Sequence, residues 1–297
     1  MPTSCIADED RPGSPKAGMV WVARGTFRMG SDAAWPEERP PRPVTVDGFW
    51  IDRHHVTNAQ FARFVAATGY VTFAERRDPR SGVANGSLVF SQPRDIRDLQ
   101  DIGQWWRLVP GANWRHPEGP GSGIAERQHH PVVHVAYEDA AAYAAWAGRE
   151  LPTEEQWEFA ARGGREGALY TWGDERDTGE APLANRWHGT FPLVNTGSRG
   201  FRGTSPVGCF PANGYGLYDM AGNVWQWTRS VWTDDHAAPQ DSSGSTGERV
   251  IKGGSFLCAP NYCMRFRPAA RQPGEPGSST SHIGFRTVHA GAPPPGG

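Results

Sequence analysis

The chain has 297 residues, enough for one large domain or two small ones that bury roughly three quarters of the unfolded surface. Its 30 Lys and Arg against 32 Asp and Glu give a formal net charge of -2, which excludes a basic field for nucleic acid and an acidic solvating tail. No run has the apolar length of a membrane helix, and the polar start Met1 to Lys16 lacks the apolar core of a signal peptide, so a cytoplasmic protein without membrane contact is expected.

Residues 1–17 read as a disordered N-terminal segment. Order begins at Gly18-Met19-Val20-Trp21-Val22 and continues through Gly25-Thr26-Phe27-Arg28-Met29-Gly30, where alternating apolar residues around glycine predict a hairpin. The stretch Arg42 to Ile51 predicts a second strand pair. Thr57 and Gln60 have capping-box spacing, so a helix starts at Thr57, gathers Phe61, Phe64 and Val65 on one face, and ends at Gly69.

Residues 74–130 are rich in Pro, Gly and charge and predict long loops pinned by Trp105, Trp106 and Trp114. The run Pro131-Val132-Val133-His134-Val135 reads as a buried strand. A second helix over Glu138 to Ala147 should bury Tyr143 and Trp146 before stopping at Gly148. The third follows Pro152, where Thr153 and Gln156 repeat the capping box, Trp157 and Ala160-Ala161 face inward, and Gly163-Gly164 terminates it. The tail 289–297 is Gly and Pro and reads as flexible. With 37 Gly and 26 Pro interleaved among 13 Trp and 13 Phe, the composition describes an ordered, loop-rich fold whose indoles build core from few neighbours. No internal repeat or linker divides it.

Four cysteines, Cys5, Cys209, Cys258 and Cys263, are too few for a disulfide scaffold. Cys258 and Cys263 are separated by four residues in Gly253-Gly254-Ser255-Phe256-Leu257-Cys258-Ala259-Pro260-Asn261-Tyr262-Cys263, close enough to act as one unit. Such a pair forms a disulfide, holds a soft metal, or exchanges with a substrate thiol. Structural zinc wants four ligands, and no second pair supplies them. His129, His130 and His134 have ligand-like spacing but lie in or beside the buried Pro131 to Val135 run, where a structural role is the plainer reading.

Several further motifs stand in order: Gly111-Ala112-Asn113-Trp114-Arg115-His116-Pro117-Glu118-Gly119-Pro120, Leu151-Pro152-Thr153-Glu154-Glu155-Gln156-Trp157-Glu158-Phe159-Ala160-Ala161-Arg162-Gly163-Gly164, Asn213-Gly214-Tyr215-Gly216-Leu217-Tyr218-Asp219-Met220-Ala221-Gly222-Asn223-Val224-Trp225-Gln226-Trp227, and Gly284-Phe285-Arg286. Together with the cysteine segment and Gly18 to Val22, they make residues 18–288 resemble the formylglycine-generating enzyme family, the sulfatase-modifying factors. The resemblance implies a single-domain α+β fold, lectin-like (of C-type-lectin kind), loop-rich and with sparse secondary structure.

It further implies a copper-dependent oxidase that converts the cysteine of a Cys-x-Pro-x-Arg segment in a nascent or unfolded sulfatase to Cα-formylglycine, with O2 and a thiol reductant. Cys258 and Cys263 would bind Cu(I), joined by the substrate thiolate, with Ser255 donating a hydrogen bond near the oxygen site and Trp225 forming an apolar wall. A turn role for Ser255 and a core role for Trp225 stand beside those assignments.

Two structural calcium sites also come with the resemblance. One maps onto Asp219, Gly222, Val224 and Gln226 and keeps one carboxylate; the other, at Asn185, Arg186, Arg199 and Phe201, has Arg199 in place of an acid and is expected to be lost. The family's acids that meet the substrate arginine precede Val-Thr-Asn and lie in the following loop; here His55 and the Asn85-Gly86-Ser87 loop stand in those places. His282 and Ala259 are further departures. A competing function is a non-catalytic, lectin-like paralogue that grips sulfatase peptides; an iron-dependent sulfoxide synthase lacks its upstream His domain.

Overall fold

A computed structural model describes residue 5 and residues 16–177, 181–236 and 247–294. Strands β1 (Met19–Val22), β2 (Gly25–Met29), β3 (Arg42–Val46) and β4 (Phe49–Asp52) open the chain. They do not form the two hairpins that the sequence predicts. Met19 faces Asp52, Val22 faces Phe49, Gly25 faces Val46 and Met29 faces Arg42, so all four strands share one antiparallel register. This is one long hairpin, interrupted where Ala23-Arg24 opposes Asp47-Gly48. Gly48 marks the interruption because a Cβ there would sit 2.4 Å from the Trp21 ring. The apparent turn at Ala23-Arg24 is thus a break in a long strand, and the true turn lies in the residues between Met29 and Arg42.

Helix α1 (Asn58–Thr68) has Thr57 as its N-cap with both capping-box bonds, and ends at left-handed Gly69. Its Phe61, Phe64 and Val65 are buried as predicted. Helix α2 (Tyr137–Trp146) buries Tyr143, but Trp146 keeps 44% of its surface exposed and only leans on Phe64 and Tyr143. Helix α3 (Glu154–Arg162) repeats the capping box at Thr153 and Gln156 and ends at left-handed Gly163.

Between α1 and α2 the predicted loops hold one unpredicted ladder, β5 (Ser87–Phe90) with β6 (Trp106–Val109). The segment at 131–136 is buried yet is no strand; His134 has φ 60°, which breaks extended geometry. After α3 come β7 (Trp225–Val231), β8 (Arg249–Lys252), β9 (Arg271–Gly274), β10 (Ile283–Gly284) and β11 (Val288–His289). They order as β10-β7-β8-β9, with β10 parallel to β7, while β11 joins β4.

Two cores result. Phe27, Phe159, Trp157 and Ile51 pack between the long hairpin and α3, and Phe61, Tyr143, Phe285, Trp225 and Trp227 pack between α1, α2 and the second sheet. A third cluster, Trp105, Trp187, Phe191, Phe256 and Leu257, fills the loops beside the cysteine segment. Cys5 and Cys209, which the sequence reading leaves unassigned, form a disulfide. It ties down one residue of the 1–17 segment; residues 1–4 and 6–15 of that predicted disordered stretch lie outside the described residues. The start of the tail is held as well, since Ala292 O accepts from Trp50 Nε1 at 3.0 Å and Lys16 Nζ at 3.3 Å.

Candidate functional site

Strand β8 delivers the chain to the site. Gly253 and Gly254 follow Lys252 with φ of 94° and 69°, a left-handed pair that turns the backbone off the sheet. A Cβ on Gly254 would lie 2.7 Å from Arg265 O, so the two limbs of the cysteine loop touch through backbone. Ser255 Oγ accepts from Leu257 N at 3.2 Å, and Cys258 N donates to Ser255 O at 2.9 Å. The next turn closes on Ala259 O, which accepts from Tyr262, Cys263 and Met264 N–H at 3.1, 3.1 and 3.2 Å. That turn swings Cys263 back toward Cys258, and the two free thiols hydrogen-bond to each other.

Their electrostatics differ. Burial pushes the Cys258 thiol well up, the contact with Cys263 adds to this, and the Ser255 N–H, 3.4 Å from Sγ, only partly offsets it. At Cys263 burial acts upward too, but the Cys258 thiol, the Arg265 N–H and the Arg265 guanidinium outweigh it and hold the group below its ordinary value. Arg265 is itself fixed, bonded to the Glu37 carboxylate and stacked 4.5 Å over Trp35. Trp35 Nε1 donates to Cys263 O at 3.0 Å.

The thiols lie in the wall of a groove of about 780 Å³ walled by Trp35, Trp105, Trp106, Phe191, Trp225 and Tyr262, with Ser255 also lining it. The structure therefore brings together all four residues singled out around the cysteines: Cys258, Cys263, Ser255 and Trp225. Trp225 serves both readings at once, 3% exposed and packed in the core while presenting a face to the groove. The aromatic wall from Trp35, Trp105 and Trp106 escapes the sequence reading, which assigns the last two as pins. Adjacent tryptophans in a loop were its available signal. A hollow of about 930 Å³ near Arg24, Arg28 and Arg165 holds no cysteine.

A soft monovalent ion suits this donor set. Two free thiols face each other, one is biased toward thiolate, and no cluster of three or more His, Cys, Asp or Glu is found among the described residues. The histidine trio gathers no site: His130 Nδ1 meets Thr204 Oγ1 and His134 Nδ1 meets Ser87 Oγ, both at 2.8 Å, and burial holds the two imidazoles down to about 4 and about 3.

Of the second candidate metal set, Asp219 is buried, with Oδ2 accepting from Gly208 N at 2.7 Å and Oδ1 without a partner. Burial lifts its carboxyl to about 6, against the pull of Gly208 N–H and Arg286. An unpartnered buried carboxylate oxygen fits a hard cation. Gln226 Oε1 is already shared by Trp157 Nε1 at 2.9 Å and Arg286 Nε at 2.6 Å, while its Nε2 donates to Asp219 O at 3.3 Å. Gly222 and Val224 complete the turn, Gly222 N bonding Gly253 O at 2.9 Å. At the other set the Arg199 guanidinium lies 5.4 Å over the Phe210 ring, and Ser198 Oγ donates to Arg186 O at 2.8 Å. That set does not fit calcium.

His55 stands where the resemblance puts an acid. It is fully buried, far depressed in basicity first by burial and then by Arg286, and lies outside the groove lining. In this chain the His55 ring is turned into the interior, away from the groove. Asn85 Nδ2 is spent on Phe73 O at 2.9 Å, and Ser87 is buried under His134. His282 does line the groove, bonded to Thr280 Oγ1 at 2.6 Å, with its ring tilted 48° against Trp106 at 4.7 Å and held neutral by burial with a value of about 3.

Residues 7–291 match the family described as the Sulfatase-modifying factor enzyme 1-like domain. A formylglycine-generating enzyme of Mycobacterium tuberculosis is 52% identical over 290 residues, 91% of this chain and 97% of that protein. An inactive C-alpha-formylglycine-generating enzyme 2 of Mus musculus is 42% identical, covering 93% of this chain and 87% of its own. The solved structure of PvdO from Pseudomonas aeruginosa aligns with a TM-score of 0.64 at 27% identity, over 91% of this chain and 93% of that one.

Proposed function

The chain belongs to the sulfatase-modifying factor enzyme 1-like family, and on that premise we propose that it converts a cysteine of a sulfatase polypeptide to Cα-formylglycine, using O2 and a thiol reductant at a Cu(I) site. The observation that carries this reading is the facing pair of free thiols, Cys258 and Cys263, in an aromatic groove open to a peptide. Relatives named for this activity align over nearly the whole chain.

In this reading Cys258 and Cys263 hold Cu(I), which supplies the redox chemistry with O2. The atoms balance as one substrate CH2–SH, one O2 and two reductant thiols giving the aldehyde, sulfide, one disulfide and one water. Arg265 and its N–H hold negative charge at Cys263, which favours the thiolate form that a soft ion requires. Trp225, Trp105 and Trp106 exclude water from the reacting Cβ, and neutral His282 adds no charge there. The Ser255 hydroxyl accepts from Leu257 N, which leaves its proton able to donate to a substrate in the groove. At Asp219, with Gly222, Val224 and Gln226, we assign a structural Ca2+ site centred on the unpartnered Oδ1.

The similarity to an inactive mouse paralogue supports a second reading, a peptide-binding protein without chemistry. One experiment separates the two. The Cu(I)-loaded protein is incubated with a Cys-x-Pro-x-Arg peptide, O2 and dithiothreitol, and the product is read by mass and aldehyde capture. Aldehyde formation is expected; binding without aldehyde under any reductant replaces the enzyme reading with the binding one.

A further inference from the structure

The acids that the family uses to meet a substrate arginine have no counterpart here, since His55 is buried and the loop at Asn85 to Ser87 carries no carboxylate. A peptide cation entering this groove still needs a partner, and the groove contains one. Apart from the two thiols and Tyr262, its ionisable lining groups are Arg265, His282 and Glu275. Arg265 is neutralised by Glu37, and His282 is uncharged. Glu275 is exposed, and among the described residues it takes part in no ion pair; its carboxylate accepts only a long 3.4 Å bond from Gly277 N. It is the one uncompensated charge on the groove, and it is negative.

Its backbone is firmly placed. Glu275 follows β9 directly, after Gly274, where a Cβ would lie 2.5 Å from the Trp227 ring, and Glu275 O accepts from Ser278 N at 3.1 Å while Pro276 O accepts from Tyr137 N at 3.3 Å. The turn thus presents a solvent-exposed carboxylate at the rim of a groove whose wall carries the thiols. Four residues of extended peptide reach at most ~14 Å, which is the upper limit between a cysteine seated in the groove and the backbone of a residue four positions later.

We propose that Glu275 determines the specificity of this groove by pairing with the cationic side chain four residues after the substrate cysteine. The proposal rests on the formylglycine reading for its peptide, and it concerns recognition alone. A carboxylate at an exposed rim contributes a modest, salt-sensitive preference for Arg, expressed in binding and KM, with kcat unchanged.

The test uses the full chain and two readouts. Binding is measured by fluorescence anisotropy with unreactive Ser-x-Pro-x-Arg peptides and their Ala and Glu counterparts; turnover is measured in parallel with the cysteine versions. The wild-type protein should bind the Arg peptide about fivefold tighter than the Ala peptide, within the range of exposed ion pairs. Glu275→Gln should bring the two to equality without altering the Ala peptide, and Glu275→Arg should prefer the Glu peptide. Raised salt should shrink the wild-type preference. An Arg-over-Ala ratio that persists in Glu275→Gln overturns the proposal, as does failure of all these peptides to bind. Glu275-dependent Arg preference with no aldehyde formed would sink the enzyme reading and uphold this one; aldehyde formed with the ratio untouched does the reverse.

Discussion

Lys252 and Cys258 are six residues apart on one segment, yet they sit in opposite electrostatic regimes. Around Lys252 every buried charge is answered. Its Nζ meets Glu158 Oε2 at 3.0 Å and Glu154 Oε1 at 3.4 Å, Arg271 grips both oxygens of Glu154 at 2.9 and 3.1 Å, and Arg162 meets Glu158 at 2.6 Å. Burial alone would push the Glu158 carboxyl up; Lys252, Arg162 and Gly30 N–H reverse that and hold it at about 2. Past the two left-handed glycines Arg267 pairs with Glu38 and Arg265 with Glu37, but neither pairs with Cys258. Cys258 is as buried as Lys252, has no cation of its own, and its thiol is driven up. A saturated cluster fixes α3 to the sheet and makes a rigid floor, while Cys258 beside it, without a cation of its own, retains the capacity to take a ligand with Cys263.

The hardest break of this contrast comes from the thiols. Cys258→Ala or Cys263→Ala should abolish aldehyde formation and weaken Cu(I) binding by more than the roughly 100-fold that loss of an outer partner costs. Metal titration with sulfur-edge X-ray absorption measures it. Unchanged affinity in both variants removes the proposed copper site.

On the saturated side, Lys252→Met leaves two carboxylates buried with fewer partners and should destabilise by about 3 kcal/mol or more, read by urea denaturation. Its pH dependence follows from Glu158. A depressed carboxyl stabilises the fold above its ordinary value of 4.5, and that stability is lost as pH falls through about 2. The deficit of Lys252→Met should therefore be full at neutral pH and narrow progressively below 4.5. A deficit independent of pH would show that packing, not charge, sets it.

Between the two regions lies the Asp219 turn, whose Met220 O stands 3.1 Å from where a Gly253 Cβ would be. Calcium at a hundred times its dissociation constant should stabilise the wild type by about 2.7 kcal/mol, and Asp219→Ala should abolish the gain. Thermal melts with calcium and with chelator decide this; a wild-type melt insensitive to both counts against calcium. The smallest effect is expected at the N-cap of α3, where Thr153→Ala should cost about 1 kcal/mol and leave Cu(I) affinity unaltered. A change in copper binding there would mean that the floor and the thiols are coupled.

Local signals read well because their causes are local. Thr57 and Gln60, Thr153 and Gln156, and the glycines at 69 and 163 specify three-residue bonds and left-handed stops that need no partner from elsewhere, so α1 and α3 are legible in the chain. The cysteine spacing likewise marks the thiols, and the ordered motifs mark the family. What escaped depends on distant partners. The pairing of β1 with β4 is decided by a long-range register, the exposure of Trp146 by how much of α2 the core covers, and the interior position of His55 by packing against Arg286. Cys5 and Cys209 are 204 residues apart, beyond any spacing rule.

The sequence by itself determined the composition of a loop-rich α+β domain, its helix boundaries and the two thiols on one short segment, because each of these follows from neighbours within a few residues. Only the tertiary structure decided that Ser255, Trp225 and both cysteines share a groove with Trp35 and Glu275, that Asp219 Oδ1 is left without a partner, and that His55 faces inward. Burial and charge compensation are properties of the whole packed chain, and no local pattern encodes them.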